Sequence, residues 1–397
     1  MNITNAGMLA IALSVAACAT NARADSLPDG VQVHGFASQA LIGTDNNNFF
    51  GDTQNDASLD FTELGANISW RINPRIQLSA QAVSRRAGKT DDGSPRLDYA
   101  TLDYTIHASE DARYGLYLGK IKNPYGLYNE IRDVAFTRPS ILLPQSIYLD
   151  RARNFVLSSP GVAVYGDKTL ATGNLSYQFG IIRPDTSDKE TESVFLSYDR
   201  PGQIKNGTGY IGRALLEQNN GQVNLALTGV SIRTHYRPGI ADSLQAGNIG
   251  LDSWVISGQY NAEHWVLTTE YAQNRVTENI FGTFFQNGSV TGSSYYVQGS
   301  YAFTQKWSAM ARYDVTYKDK NDKDGKAFSA LTGVPTHSRF ARDLTVGLSY
   351  NLNNNWLLRG EFHKVDGTAW LPYTDNPNLF ATTRHWDMWL FQAAFRF

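Results

Sequence analysis

Apolar and polar residues alternate along the C-terminal segment 387–397. Its odd positions carry side chains suited to lipid, namely Trp389, Phe391, Ala393, Phe395 and Phe397. Its even positions include Gln392 and Arg396, which are suited to water. A period of two indicates a β-strand with one apolar face and one wet face. We therefore predict a strand that ends at the last residue of the sequence.

The same alternation recurs along the chain from Val31 onward and predicts about sixteen strands. The predicted strands are 31–42, 58–71, 75–86, 96–107, 112–122, 156–166, 169–182, 208–217, 222–236, 251–261, 265–276, 293–303, 306–318, 341–351, 356–366 and 387–397.

The connections between these strands alternate between short and long. The short connections are Asn73–Pro74, Ser109–Asp111, Asp167–Lys168, Gln218–Gly221, Ala262–His264, Thr304–Gln305 and Leu352–Asn355. The long connections are 43–57, 87–95, 123–155, 183–207, 237–250, 277–292, 319–340 and 367–386. Short periplasmic turns that alternate with long extracellular loops are typical of bacterial outer-membrane barrels. The predicted fold class is all-β: a transmembrane antiparallel up-and-down β-barrel.

The composition favours a barrel over a helical membrane protein. The chain is 42% hydrophobic and its mean hydropathy is -0.35. A barrel accommodates this polarity, because only alternate residues face lipid. The 21 Tyr, 19 Phe and 8 Trp suit aromatic girdles at the membrane interfaces. The formal net charge of -2 gives no indication of a nucleic-acid partner.

The first residues carry an export signal. An apolar stretch over 8–19 precedes an A-x-A site, which predicts a cleaved signal peptide over 1–24. A second interpretation stays open, because Cys18 ends a segment that resembles a bacterial lipoprotein box and would then carry a lipid. Both interpretations predict export to the bacterial outer membrane, with 25–397 as one barrel domain.

One segment carries a resemblance to a known family. Residues 117–127, Tyr-Leu-Gly-Lys-Ile-Lys-Asn-Pro-Tyr-Gly-Leu, resemble the strand-to-loop motif of the phosphate-selective (O/P-type) porins and related Gram-negative porins. The run from Lys122 to Arg153 is similar to a related group of proteobacterial porin-like proteins. The resemblance implies a homotrimer surrounded by outer-membrane lipid and lipopolysaccharide. It also implies insertion by the barrel-assembly machinery, with Phe397 as the assembly signal, and an inward-folded third extracellular loop.

The third long connection, 123–155, is therefore the predicted constriction loop. Its apolar run 141–144 can pack on the wall while its charged side chains face the pore. The residues expected to set selectivity are Arg132, Arg138, Arg151, Arg153, Glu130, Asp133, Asp150, Lys120 and Lys122. In an alternative that stays open, the same charges form ion pairs that pin the loop to the wall.

The aromatic residues of this loop also have two interpretations. They could line a path for sugars, or they could simply pack. These residues are Tyr125, Tyr128, Phe136, Tyr148 and Phe155.

Alternation assigns further charges to the lumen wall. The basic residues are Arg71, Arg75, Arg85, Arg213, Lys306, Arg312, Arg359 and Arg396. The acidic residues are Asp98, Glu217, Glu270, Asp314, Asp343 and Glu361. This small positive excess predicts a weak preference for anions. Specificity for phosphate is not expected, because 123–155 carries only four Arg against three acidic residues.

No pattern in the sequence indicates catalytic, metal or cofactor chemistry. In the acidic run 319–325, Lys320 occupies the first ligand position that a calcium loop of the EF-hand type would need. The expected function is passive diffusion of small hydrophilic solutes through a porin that is not an enzyme and needs no cofactor. The alternative is a substrate-specific porin with a binding site for a sugar, an organic acid or another small anion.

Overall fold

The computed structural model describes residues 28–196, 200–279 and 288–397. Within these residues, sixteen antiparallel strands form a closed barrel, which confirms the predicted fold class. The predicted signal peptide, including Cys18, lies outside the described residues.

Each wall strand pairs with its neighbours in sequence. The strands are β1 (Val31–Thr44), β2 (Ser58–Asn73), β3 (Ile76–Ala87), β4 (Arg96–Ala108), β5 (Ala112–Lys122), β6 (Ser158–Leu170), β7 (Gly173–Ile182), β8 (Gln203–Gln218), β9 (Val223–Arg237), β10 (Gly247–Asn261), β11 (Trp265–Asn279), β12 (Gly288–Ala302), β13 (Trp307–Tyr317), β14 (Phe340–Asn351), β15 (Trp356–Gly367) and β16 (His385–Arg396). A short bridge, Asp91–Asp92, pairs with the end of β3.

The first strand closes the barrel. β1 pairs with β2 on one side and with β16 on the other, where Phe36 lies opposite Arg396. Just beyond β16, the backbone N–H of Phe397 donates to the carbonyl oxygen of Gly35 at 3.0 Å, and the N–H of Gly35 donates back at 3.2 Å. Closure pairs the backbone N–H and C=O groups at the two edges of the sheet. A sheet in a bilayer requires this pairing, because lipid offers no hydrogen bonds to these groups.

The outer face of the wall is apolar. On β16, Phe391 is 59% exposed, whereas its neighbours Leu390 and Gln392 are 0% and 4% exposed. On β7, Phe179 and Ile181 are 54% and 56% exposed. The exposed residues recur at every second position, which is the spacing that brings one set of side chains to lipid.

Aromatic side chains meet at the end of the barrel that carries the short turns. Tyr260 and Trp265 stack across the turn between β10 and β11, with ring centroids 5.1 Å apart. Trp307 and Tyr350 lie 4.4 Å apart on paired strands. This is the position that we expect for an interfacial girdle, since these rings are apolar with a polar edge.

One predicted turn is wrong. Asp167–Lys168 does not connect the sixth and seventh strands, because β6 continues to Leu170, which pairs with Gly173. The Asp167 carboxylate instead accepts a hydrogen bond from the Ser176 hydroxyl across the sheet at 2.7 Å. The turn preference of the Asp-Lys pair is therefore overridden by cross-strand pairing.

Short helices lie in the long connections. They are α1 (Arg153–Val156), α2 (Lys189–Leu196) and α3 (Lys326–Thr332). Turns of 3₁₀ helix occupy Asn129–Ile131, Ala135–Thr137, Asp150–Ala152, Thr336–Arg339 and Leu379–Ala381. Among the described residues, no helix combines the length and the apolarity needed to cross a membrane.

Replacing Gly173 by alanine tests the position of the turn between β6 and β7. A Cβ atom at Gly173 would lie 1.9 Å from the backbone carbonyl oxygen of Glu217 on β8. We expect Gly173→Ala to lower the free energy of unfolding by about 1–3 kcal/mol, because overpacking forces the backbone to shift. The measurement is urea unfolding of the refolded barrel, followed by tryptophan fluorescence.

Gly299→Ala is the matched control for this experiment, because a Cβ atom there meets no atom within 4 Å. Equal losses of stability for the two variants would contradict the observed register.

Candidate functional site: the connection between β5 and β6

The connection from β5 to β6, residues 123–157, is fastened at its base by two buried amides. The Asn123 Nδ2 group donates to the carbonyl oxygen of Val156 at 2.9 Å and to the Ser159 hydroxyl at 3.0 Å. The Asn129 Nδ2 group donates to the carbonyl oxygens of Asn123 and Val156 at 2.9 and 3.0 Å. These bonds hold together the two points where the connection leaves and rejoins the wall.

The middle of the connection is bonded to strands far from β5 and β6. The Tyr148 hydroxyl donates to the carboxylate of Glu270 on β11 at 2.6 Å. Arg312 on β13 donates to the carbonyl oxygen of Leu142 at 3.0 Å. Arg359 on β15 donates to two backbone carbonyls of the connection, each at 2.7 Å. These three wall residues are ones that alternation assigns to the lumen side.

The apolar run of the connection is buried. Ile141 and Leu142 pack in a cluster with Phe49, Trp370 and Met388, and both are at most 1% exposed. The cluster joins the connection to the inner side of β16 and to the first and last long connections. Burial of these side chains therefore contributes to the position of the whole segment.

Buried ion pairs attach the charged part of the connection to the wall. One Asp150 oxygen lies 3.0 Å from Arg85 on β3, 3.3 Å from Arg132 and 4.0 Å from Arg153. All four side chains are less than 9% exposed. A carboxylate in such a place compensates several charges that would otherwise be buried without a partner.

Asp133 extends this cluster to the neighbouring strands. It pairs with Arg153 and with Lys122 at the end of β5. Lys122 also lies 2.6 Å from Asp98 on β4. The cluster therefore spans the connection and three strands of the wall, β3, β4 and β5.

Glu63 on β2 provides the third acidic centre. Its carboxylate lies 2.6 Å from Arg138 and 3.5 Å from Arg85. Arg138 also donates to the backbone carbonyl of Arg132 at 2.9 Å, so one guanidinium bonds both the wall and the connection.

These charges persist at neutral pH. Burial alone would raise the pKa of Asp150, but Arg85, Arg132 and Arg153 outweigh this effect and lower its pKa to about 2. Lys122 and Arg153 likewise overcome burial and hold the pKa of Asp133 well below its ordinary value. Burial lowers the pKa of Arg132 to about 10, and Arg153 adds to this shift, so Arg132 stays protonated at neutral pH.

Arg151 pairs with a residue that the sequence pattern did not single out. Its Nε group donates to the Glu190 carboxylate of α2 at 3.1 Å. Glu190 also accepts the backbone N–H of Thr374 at 2.6 Å and is 2% exposed. It thereby joins three long connections. A lone glutamate in a polar loop carries no sequence signal for this role.

Lys120 does not join the other predicted pore residues. It lies opposite Ala100 and Pro160, on the wall face that also carries exposed Leu118. Its Nζ group donates to the backbone carbonyl of Leu97 at 2.7 Å. The side chain of Lys120 is thus directed outward, away from the lumen, whereas Lys122 at the end of β5 turns to the buried cluster.

The predicted basic wall residues divide into two groups. Arg85, Arg213, Arg312 and Arg359 contact the connection, and Arg213 lies 2.6 Å from Glu130. The others lie at the short-turn end: Arg71, Arg75, Lys306 and Arg396, of which Arg396 also contacts the connection at Phe136. Arg75 and Lys306 lie in turns and not on wall strands. Arg75 directly precedes β3, and Lys306 directly precedes β13.

The predicted acidic wall residues are mostly buried. Those at most 6% exposed are Asp98, Glu270, Asp314, Asp343 and Glu361. Glu217 is half-buried near the end of β8.

The aromatic residues of the connection are packed. Tyr125, Tyr128, Tyr148 and Phe155 are 7%, 7%, 1% and 4% exposed. Phe136 lies beneath the guanidinium of Arg396, with 4.3 Å from Cζ to the ring centroid. This burial favours packing over a continuous path for sugars.

No group of three or more His, Cys, Asp or Glu side chains in the described ranges is placed to hold a metal ion.

Comparison with known proteins finds no matching family model and no curated protein with a matching sequence. Among solved structures, the chain is similar to the outer membrane channel DcaP of Acinetobacter baumannii, with a TM-score of 0.59 and 13% identity over 92% of this chain and 97% of that one. The anion-selective porin from Comamonas acidovorans gives a TM-score of 0.58 and 13% identity over 92% and 99%. The trimer form of OmpT from Vibrio cholerae gives a TM-score of 0.56 and 10% identity over 92% of this chain and 99% of that one.

The chain has the fold of outer-membrane porins. At these identities the likeness concerns the fold, and the resemblance to the O/P-type subgroup stays a prediction.

Replacing Asp150 by asparagine tests whether the ion pairs hold the connection in place. The change leaves Arg85, Arg132 and Arg153 short of one carboxylate, and breaking a buried pair is costly because the remaining charge stays desolvated. We expect the connection to loosen and to become cleavable by trypsin in the otherwise intact barrel.

Asp252→Asn is the control, because the pair of Asp252 with Arg233 is 44% and 60% exposed and contributes little. If Asp150→Asn resists trypsin as well as this control does, the ion pairs do not hold the connection.

The low pKa of Asp150 predicts how acid affects the connection. Because its pKa falls from 3.8 to about 2 on folding, ionised Asp150 stabilises the folded segment above pH 3.8, and this contribution disappears as the pH falls toward 2. We expect pepsin to cleave within 123–157 near pH 2 but not near pH 4. Equal cleavage at both pH values would contradict this expectation.

Proposed function

We propose that this protein is a narrow outer-membrane porin through which small hydrophilic solutes diffuse passively. The observation that carries the proposal is the set of hydrogen bonds and ion pairs between 123–157 and strands around the barrel. A segment held in this way constricts the lumen and leaves a selective passage, and no catalytic step is required.

Burial on the inner wall supports a narrow passage. In a wide water-filled lumen, the inward charges of a porin would be wet. Here Glu270, Arg312 and His363 are only 1%, 2% and 1% exposed. The constriction therefore excludes all but small solutes.

The charge of the connected cluster supports only a weak preference for anions. The cluster has six basic and five acidic side chains, which gives a net charge of +1. Its members are Arg85, Arg96, Arg132, Arg138, Arg153, Lys122, Glu63, Asp91, Asp98, Asp133 and Asp150. Ion pairing and field shaping are thus both roles of the same residues.

We further propose a homotrimer in the outer membrane, in contact with lipid and lipopolysaccharide. The solved trimer form of OmpT from Vibrio cholerae, which shares the fold, supports this assembly. Phe397 is the proposed signal for the barrel-assembly machinery, since its backbone completes the closure with Gly35.

Ion currents through planar lipid bilayers test the proposal. We expect small ohmic current steps in groups of three, with a reversal potential in a KCl gradient that indicates weak anion preference. Bilayers that stay insulating after insertion of folded protein would contradict the channel function.

The double variant Arg138→Met/Arg153→Met tests the origin of the preference. It leaves Glu63 and Asp133 with fewer cations, so the reversal potential should shift toward cation preference. Arg233→Met, at the exposed pair with Asp252, is the control and should leave the reversal potential unchanged. An unchanged value in the double variant would mean that permeating ions do not pass this cluster.

A further inference from the structure

A cavity of about 600 Å³ lies between the connection 123–157 and the inner wall of the later strands. Its volume falls within the range of small-molecule sites, about 300–1,000 Å³. Apolar side chains form much of its lining, among them Phe155, Phe195, Val230, Ile232, Leu251 and Val276.

The apolar wall of this cavity is unusual for a porin lumen. Val230 and Ile232 alternate on β9 with outward residues such as Arg233, and Leu251 and Val276 occupy inward positions on β10 and β11. Inward positions of a channel for salts and sugars are expected to be polar. Ile232 belongs to the buried cluster around Phe155, and Val230, Leu251 and Val276 pack against this cluster while they stay only partly buried.

Two cations border the same cavity. Lys318 follows β13, and its backbone N–H donates to the carbonyl oxygen of Arg339 at 2.9 Å. The Arg339 guanidinium lies 4.0 Å from the centroid of the Phe328 ring, and its Nε atom has no hydrogen-bond partner. In the part of the chain that the structure describes, neither cation has a carboxylate within 4.0 Å.

Asp319 and Asp322 act on the charge of Arg339 in the direction that raises its pKa, but neither residue lines the cavity. Arg132 is paired with Asp150, and Arg200 also borders the space. Glu278 on β11 is an acidic residue of the lining and is not within 4.0 Å of either cation. The cavity therefore combines an apolar surface with an excess of positive charge.

We propose that this cavity binds a small organic monoanion that has an apolar body, such as a medium-chain or aromatic carboxylate. The inference rests on the proposed channel function and names the class of solute that binds in this cavity. The anionic group lies at Lys318 and Arg339, and the apolar body lies along Val230, Ile232 and Val276.

The physical chemistry favours one charge and an apolar body. Burial, together with Arg339 and Arg151, lowers the pKa of Lys318, so an incoming anion relieves an unfavourable environment. A dianion would lose more hydration in an apolar cavity than two cations restore. A sugar would leave its hydroxyl groups without partners against the apolar wall.

Titration calorimetry of the folded protein in detergent tests the proposal directly. The ligands are hexanoate and benzoate, with acetate lacking the apolar body and hexanamide lacking the charge. We expect hexanoate to bind at least tenfold more tightly than either analogue. Hexyl sulfate and hexyl phosphate distinguish a monoanionic from a dianionic head group on the same alkyl chain. Tighter binding of hexyl phosphate, the dianion, would overturn the choice of a monoanion.

Variants locate the site. Lys318→Met and Val276→Thr should each weaken hexanoate binding about tenfold, whereas Lys320→Met, an exposed lysine on the same connection, should not. Lys318→Arg keeps the charge and should retain binding. Folding of each variant is checked by its heat-dependent shift on gels. Binding that is absent, or that Lys318→Met and Val276→Thr both leave unchanged, would overturn the proposal.

The failure of this inference can be separated from the failure of the proposed function. Calorimetry detects binding whether or not the barrel conducts, and bilayer currents detect conduction whether or not hexanoate binds. Ohmic current without hexanoate binding retains the porin and rejects the site. Binding without any current rejects the porin as proposed.

Discussion

The position of the connection 123–157 depends on a few buried carboxylates that each serve several cations. Asp150 lies among Arg85, Arg132 and Arg153, while Asp133 bonds Arg153 and Lys122. Desolvated charges are tolerated only when they are paired, so the pairs must form together or the segment cannot lie against the wall. The shape of the lumen follows from this constraint.

The inner wall supports two different environments. One side of the connection meets a polar wall, where Glu270 and Arg312 bond its backbone and side chains. The other side meets apolar residues such as Ile232 and Val276, together with Lys318 and Arg339. In the proposed channel, a solute would meet an apolar surface and a charged segment in turn. The proposed selection would therefore act by desolvation as well as by size.

Alternation predicts the strands well because lipid enforces it at every second position. The sixteen predicted segments each correspond to an observed strand, and the main error, Asp167–Lys168, concerns a turn that cross-strand pairing moved. Prediction of the site was less complete. The arginines of 123–155 were identified by their charge, but Lys120 belongs to the outer face, and the partner role of Glu190 depends on a contact between connections distant in sequence.

The sequence by itself determined the barrel, its strand number and the segment that differs from an ordinary polar loop. These features follow from local spacing and composition, because a strand that broke the alternation would expose polar groups to lipid. Only the tertiary structure decided which carboxylate meets which guanidinium, and which inward side chains border a cavity. Several of those contacts join residues that are distant in the sequence, such as Glu63 and Arg138, which lie 75 positions apart, and closure of the barrel brings them together.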